Sequence, residues 1–146
     1  MTGADAGQAG SLPATGDVVA EATYHLTRDS LVRYAGASGD FNPIHYRDDV
    51  AEGVGLPGVL AHGMLTMGTA IQPVMEWLGT RGRVVEYGVR FTRPVVVHPV
   101  DGASITVTAT VGKVDAAASE VRIDLTVSSG GSTVLGKAQV RVALDS

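Results

Sequence analysis

The sequence predicts an α+β domain in which an antiparallel sheet wraps around one central helix, and three observations carry that prediction. From Gly63 to about Leu78 the chain is apolar on nearly every side, through Met64, Leu65, Met67, Ala70, Ile71, Val74, Met75, Trp77 and Leu78. A helix with no face left for water is buried or lies in a membrane. This one is shorter than the roughly 20 residues a span needs and is interrupted by Gly68 and Pro73, so it reads as a buried central helix. After it, the chain runs in alternating or β-branched residues, which read as strands over residues 83–91, 104–114, 120–128 and 133–144. Before it lies one more β-prone run, residues 18–26.

The elements follow in order. Residues 1–16 are Gly, Ala, Ser and Thr with Pro13 and show no periodicity; they read as a mobile tail or a loosely packed lead-in to a domain over 17–146. After the first strand, Thr27 is placed to cap a helix over about 28–36, with Asp29 in its first turn and Leu31, Val32 and Ala35 as its buried stripe. Gly36 and Gly39 end that helix. Asp48 opens a short helical turn to Glu52, and Gly53, Gly55, Pro57 and Gly58 make a loop. Pro73 should kink the central helix or mark its last regular turn. Turns at 98–102, 115–119 and 130–131 separate the later strands, with Ile105, Val107, Ala109 and Val111 facing one way and Thr106, Thr108 and Thr110 the other.

At 146 residues the chain makes one domain with one core. It has no cysteine, which excludes disulfides and thiolate metal sites. A net charge of −4 argues against a nucleic-acid or anionic-membrane surface. The N-terminus has neither the basic start nor the apolar run of a signal peptide, so a cytoplasmic location is the default expectation. Arg81, Arg83, Arg90 and Arg93 form the local concentration of positive charge, suited either to phosphates or to a solvated strand face. His25, His45, His62 and His98 lack ligand spacing with carboxylates, and no metal or cofactor is expected.

The candidate chemistry lies in Ser38-Gly39-Asp40-Phe41-Asn42-Pro43-Ile44-His45. This run is too rich in turn formers for a regular helix or strand, and Pro43 pushes Asn42 out of the helical region. The result is a stiff bend holding a carboxylate near an imidazole, a pair able to move protons near neutral pH. Asp40 and Asn42 as turn formers alone is the competing reading.

From Tyr34 to Ala51 this run resembles the signature of the MaoC-like, or (R)-specific enoyl-thioester hydratase, family. The resemblance extends to Ala61-His62-Gly63-Met64-Leu65-Thr66-Met67-Gly68 and Glu86-Tyr87-Gly88-Val89-Arg90-Phe91-Thr92, and is nearest to the catalytic subunit of actinobacterial (3R)-hydroxyacyl-ACP dehydratases. It implies a hot-dog fold, edge-to-edge dimers (with itself or with an unlike hot-dog subunit), and reversible addition of water across C2=C3 of a trans-2-enoyl thioester. By the resemblance Asp40 and His45 hold the water, and the N–H of Gly63 meets the thioester oxygen; a glycine kept only for tight packing is the alternative at 63. Tyr34, Leu60, Met64 and Met67 are candidates to line an acyl channel, or are plain core, while Asn42 orients the bend. Arg90 and its neighbours would meet the phosphates of CoA or the phosphopantetheine of an acyl carrier protein (ACP). His62 reads as structural. Fatty-acid elongation is the favoured setting. A hot-dog thioesterase and an acyl-binding subunit of a heteromeric dehydratase are the competing functions, and the intact Asp40–His45 run counts against both.

Overall fold

A computed structural model describes residues 11–146, so residues 1–10 of the expected tail lie outside the described residues. The rest of that lead-in is anchored: the Gly16 N–H donates to Val111 O at 2.8 Å, and Leu12 packs against the core. The elements run β1 (Val18–Leu26), α1 (Arg28–Ser38), a 3-10 turn (Pro43–His45), α2 (Asp48–Gly53), α3 (Gly63–Ala70), α4 (Gln72–Leu78), β2 (Gly82–Phe91), β3 (Ala103–Asp115), β4 (Glu120–Ser129) and β5 (Ser132–Leu144). All five strands form one antiparallel sheet in the order β1-β3-β4-β5-β2, which leaves β1 and β2 at its edges. The α+β class and the sheet curled on a helix are those expected of a hot-dog domain.

The core lies between the sheet's inner face and the α3–α4 segment. Val107, Ala109 and Val111 of β3 are buried opposite Val127, Leu125 and Ile123 of β4, because a period of two sends alternate side chains to one face. Ala70, Val74 and Leu78 of the helical segment meet that face.

Two sequence expectations about this helix need correcting. It is two helices broken at Ile71, and Pro73 occupies the first turn of α4 rather than a kink or a last turn. A proline has no N–H to give, and only the first turn of a helix asks for none. The segment is also not buried all round. Thr66, Ala70, Pro73, Val74 and Leu78 are buried, while Met64 is 60% exposed and Met75 42%. The sheet of this one chain covers a single side of it.

Helix α1 starts as expected. The Thr27 side chain accepts from the Ser30 N–H, and Ser30 Oγ accepts in return from the Thr27 N–H at 3.1 Å. The helix runs past Gly36 to Ser38 and closes on Gly39, whose φ of +77° is the left-handed conformation glycine tolerates. Leu31 and Ala35 are buried, one turn apart. Val32 is 61% exposed, against the expected stripe, because it sits a further 100° around the helix.

Candidate active site

The bend after α1 is built from side-chain bonds two residues long. The Asp40 N–H donates to Ser38 Oγ at 3.1 Å, Asn42 N–H to Asp40 Oδ1 at 3.1 Å, and Ile44 N–H to Asn42 Oδ1 at 3.2 Å. Each polar side chain thus does the work of a backbone carbonyl, which is why Ser, Asp and Asn alternate here. Asn42 caps the 3-10 turn through its side-chain oxygen, and Pro43 enters that turn where no N–H is required. Asn42 thus meets the site only through the backbone of the bend.

The bend is then clasped to residues 60–62. The Leu60 N–H donates to Ile44 O at 3.1 Å, His45 Nδ1 meets Leu60 O at 2.7 Å, and His62 Nε2 meets Asp40 O at 3.1 Å. On its other side this segment pairs with residues 95–97, through Ala61 N–H to Val95 O and Val97 N–H to Val59 O. Arg28 closes the frame. Its Nε donates to Val97 O at 2.6 Å while its guanidinium grips Asp48 at 2.7 Å and holds that carboxyl below the usual carboxylate range. Four segments far apart in sequence are therefore locked around one histidine.

His45 is buried, and its tautomer follows from the clasp. A carbonyl oxygen only accepts, so Nδ1 carries the proton facing Leu60 O, and Nε2 is left to face the carboxylate. Nε2 lies 4.0 Å from Asp40 Oδ2. That is too long for a direct hydrogen bond and right for one water held by both. Asp40 remains half exposed, so the pair opens outward.

Beside His45 is a cavity of about 320 Å³, lined among others by Leu60, Gly63, Thr66, Phe91 and Arg93. Gly63 is the first residue of α3, and among the described residues its N–H has no hydrogen-bond partner. The first N–H groups of a helix are unpaired by geometry and carry the positive end of its dipole. The absence of a side chain at 63 also has a packing cause. A Cβ there would meet Phe91 ring carbons at 3.0 and 3.3 Å. Among the described residues, Gly63 thus combines an unpartnered N–H with a tight contact that leaves no room for a side chain.

Of the residues expected from the sequence, the structure brings Asp40, His45, Gly63 and Leu60 together. The others stand apart from the cavity. Tyr34 packs edge-on to His62, ring centroids 4.8 Å apart, and is absent from the cavity lining. Met64 points outward from α3, one residue round from the cavity side. The Met67 carbonyl accepts from Tyr87 OH at 2.6 Å, and its side chain is absent from the cavity lining. Arg90 lies on the exposed face of edge strand β2; the arginine that reaches the cavity is Arg93, which also donates to Thr133 O at 3.2 Å. Arg81 turns away to Trp77, over whose ring its guanidinium sits at 5.0 Å.

Sequence reasoning passed over Phe91, Thr66, Val134 and Leu135 as lining residues. Phe91 falls in the third stretch that resembles the family, so a signal was there to read. Val134 and Leu135 reach the cavity only because β5 pairs with β2, with Phe91 opposite Leu135. Asp40, His45 and His62 bring candidate metal-ligand atoms within 4.8 Å of one another. The two imidazoles are stacked, however, at 3.9 Å and 21°, so their lone pairs run side by side instead of converging on an ion.

Residues 11–130 match the model of the MaoC like domain, and the chain belongs to that family. It is 35% identical over 81 residues to 3-hydroxyacyl-thioester dehydratase X of Mycobacterium tuberculosis, a match covering 56% of this chain and 28% of that protein. The chain spans less than a third of the length of the curated relatives it matches. Among solved structures it superposes on a MaoC-like dehydratase at a TM-score of 0.85 and 33% identity, over 91% of this chain and 41% of that one. The R-hydratase PhaJ1 of Pseudomonas aeruginosa gives 0.73 and 26%, over 90% and 82%.

Proposed function

We propose that this chain is a hydro-lyase that adds water to, or removes it from, the C2–C3 bond of a fatty acyl thioester, interconverting trans-2-enoyl and (3R)-3-hydroxyacyl forms. The observation that carries this reading is the 4.0 Å gap between His45 Nε2 and Asp40 Oδ2, with the Gly63 N–H free beside the same cavity. Water is a weak nucleophile at neutral pH and must lose a proton as its oxygen bonds to C3. The pair takes that proton and returns one to C2, so water is added in full and the residues end unchanged. Because both groups hold the same water, the proton arrives on the face the oxygen attacked. Base and acid roles are exchanged between the two directions of the reaction.

As C3 is attacked, negative charge moves onto the thioester oxygen. The Gly63 N–H is set to receive it without reorganisation, since the helix already orients it. A fully apolar tail fits the Leu60, Phe91, Val134 and Leu135 side of the cavity, and Arg93 supplies a cation for a phosphate-bearing carrier.

The mycobacterial relative, a 3-hydroxyacyl-thioester dehydratase by name, supports the dehydrating direction, and fatty-acid elongation on ACP is the setting this reading favours. A second hot-dog subunit, like or unlike, is the partner this reading implies, since β2 ends the sheet with an unpaired edge carrying exposed Val85 and Phe91. The test is direct. Purified chain is mixed with enoyl-CoA and enoyl-ACP thioesters of several lengths, and loss of the conjugated enoyl absorbance is followed together with free thiol. Hydration without thiol release supports the reading, and kcat/KM ranks carrier and length. Thiol release without hydration would make the chain a thioesterase.

A further inference from the structure

The sequence assigns His62 no part in the chemistry, and packing alone does not account for it. Its side chain is 1% exposed, yet its Nδ1 has no hydrogen-bond partner among the described residues. A buried polar atom left unmet costs stability, and an apolar ring of similar size would fill the space without that cost. The other nitrogen shows what the imidazole is for. Nε2 lies 3.1 Å from Asp40 O, and since a carbonyl only accepts, Nε2 carries the proton and donates. The His62 ring also lies flat against His45 at 3.9 Å, with Tyr34 edge-on behind it.

We propose that His62 is a positioning residue for the proposed water-adding reaction. Its Nε2–H pins the main chain of Asp40, and its ring face blocks rotation of His45, so one side chain sets both halves of the pair that holds the water. The two histidines form a crossed clasp: His45 on the bend donates to Leu60, and His62, two residues past Leu60, donates back to the bend. The Asp40 carbonyl shares its Cα with the carboxylate, so any shift of the carbonyl swings Oδ2 relative to His45 Nε2. Misplacement of a reacting group by about 1 Å can cost of order 10²-fold in rate. This inference rests on the function proposed above, but its geometry does not.

Three variants separate the contributions. His62→Phe keeps a ring without the donor, His62→Gln keeps a donor without the ring, and His62→Met has the length of Gln and neither feature. Two readouts are taken: amide hydrogen exchange at Asn42 and Ile44, whose N–H groups the bend's own side chains hold, and kcat and KM on enoyl-CoA thioesters. His62→Met should speed exchange at both amides and lower kcat about tenfold, with KM moved less than about threefold, the split expected when an aligned geometry is lost but binding is not. His62→Gln should slow that exchange again and recover a good part of the lost kcat. Gln and Met variants alike in both readouts would overturn the proposal. If His62→Phe does not fold, the isosteric Gln–Met pair decides alone. If the native chain hydrates no enoyl thioester, the proposed activity has failed, and equal exchange in the Gln and Met variants still overturns the role of His62.

Discussion

Asp40 and His45 owe their relation to atoms that take no part in proton transfer. Asn42 N–H and Leu60 O each consume one acceptor or donor of the pair, leaving Asp40 Oδ2 and His45 Nε2 to face each other. Asp40→Asn and His45→Ala should therefore each lower kcat at least ~10²-fold with little change in KM, measured by steady-state hydration. Near-native rates in either would remove that residue from the mechanism. Gly63 needs a different test, because Ala would keep its N–H and still collide with Phe91. In a Phe91→Ala background the collision is gone, and Gly63→Ala can be compared with Gly63→Pro. Proline suits the first helical position, and His62, at φ −58° and ψ 133°, already has the extended conformation a following proline demands. The two double variants differ chiefly in one N–H. The proline form should be slower by about 10²-fold if that N–H meets the developing oxyanion, and equal kcat would leave Gly63 a packing glycine. The bend was legible in the sequence because its turn chemistry is local. The distant partners of its two key residues were not, since Leu60, which meets the His45 ring, and His62, which meets the Asp40 carbonyl, lie 15 and 22 positions away.

At the scale of elements, a proline in an apolar run reads equally well as a kink, a stop or a start, and only the break at Ile71 distinguishes them. A kinking proline strains its helix, so its removal would raise stability. One in the first turn sacrifices no hydrogen bond and restricts the unfolded chain, and here its ring is also buried. Pro73→Ala should accordingly lower stability by about 1 kcal/mol in urea unfolding. A gain would mean the residue is held under strain. The same distinction applies to α1, where a capping box and a closing glycine were readable residue by residue, while the exposure of Val32 depended on which side the sheet covers.

Across the whole molecule, one bond ties the helix that carries Gly63 to the edge of the sheet: Tyr87 OH on β2 donates to Met67 O on α3 at 2.6 Å. Burial pushes the Tyr87 hydroxyl up from 10.0 to about 12. The sign follows from linkage. The folded state favours the protonated phenol, so this contribution is complete below the unfolded value and is lost as pH rises through the folded one. Between pH 10 and about 12 the native chain should lose stability from this group, and Tyr87→Phe should flatten that part of the profile while costing about 1 kcal/mol near neutrality, read from thermal melts across pH. An unchanged alkaline slope would show that Tyr87 does not couple α3 to β2. The strands themselves and the inward face of β3 were foreseeable from periodicity, whereas their pairing in the order β1-β3-β4-β5-β2 was not, because alternation marks faces and not neighbours.

The amino-acid sequence alone determined that this would be an α+β chain with a helix under a sheet, and that a proline-stiffened bend would hold Asp40 near His45. Those outcomes depend on periodicity and turn chemistry, which act over a few residues. Tertiary structure alone decided which nitrogen of His45 faces the carboxylate, that Phe91 rather than Met64 borders the cavity, that Arg93 rather than Arg90 reaches it, and that His62 grips the bend that carries Asp40. Each of those contacts joins segments that meet only when the sheet closes, and nothing in local preference encodes which atoms will then lie opposite one another.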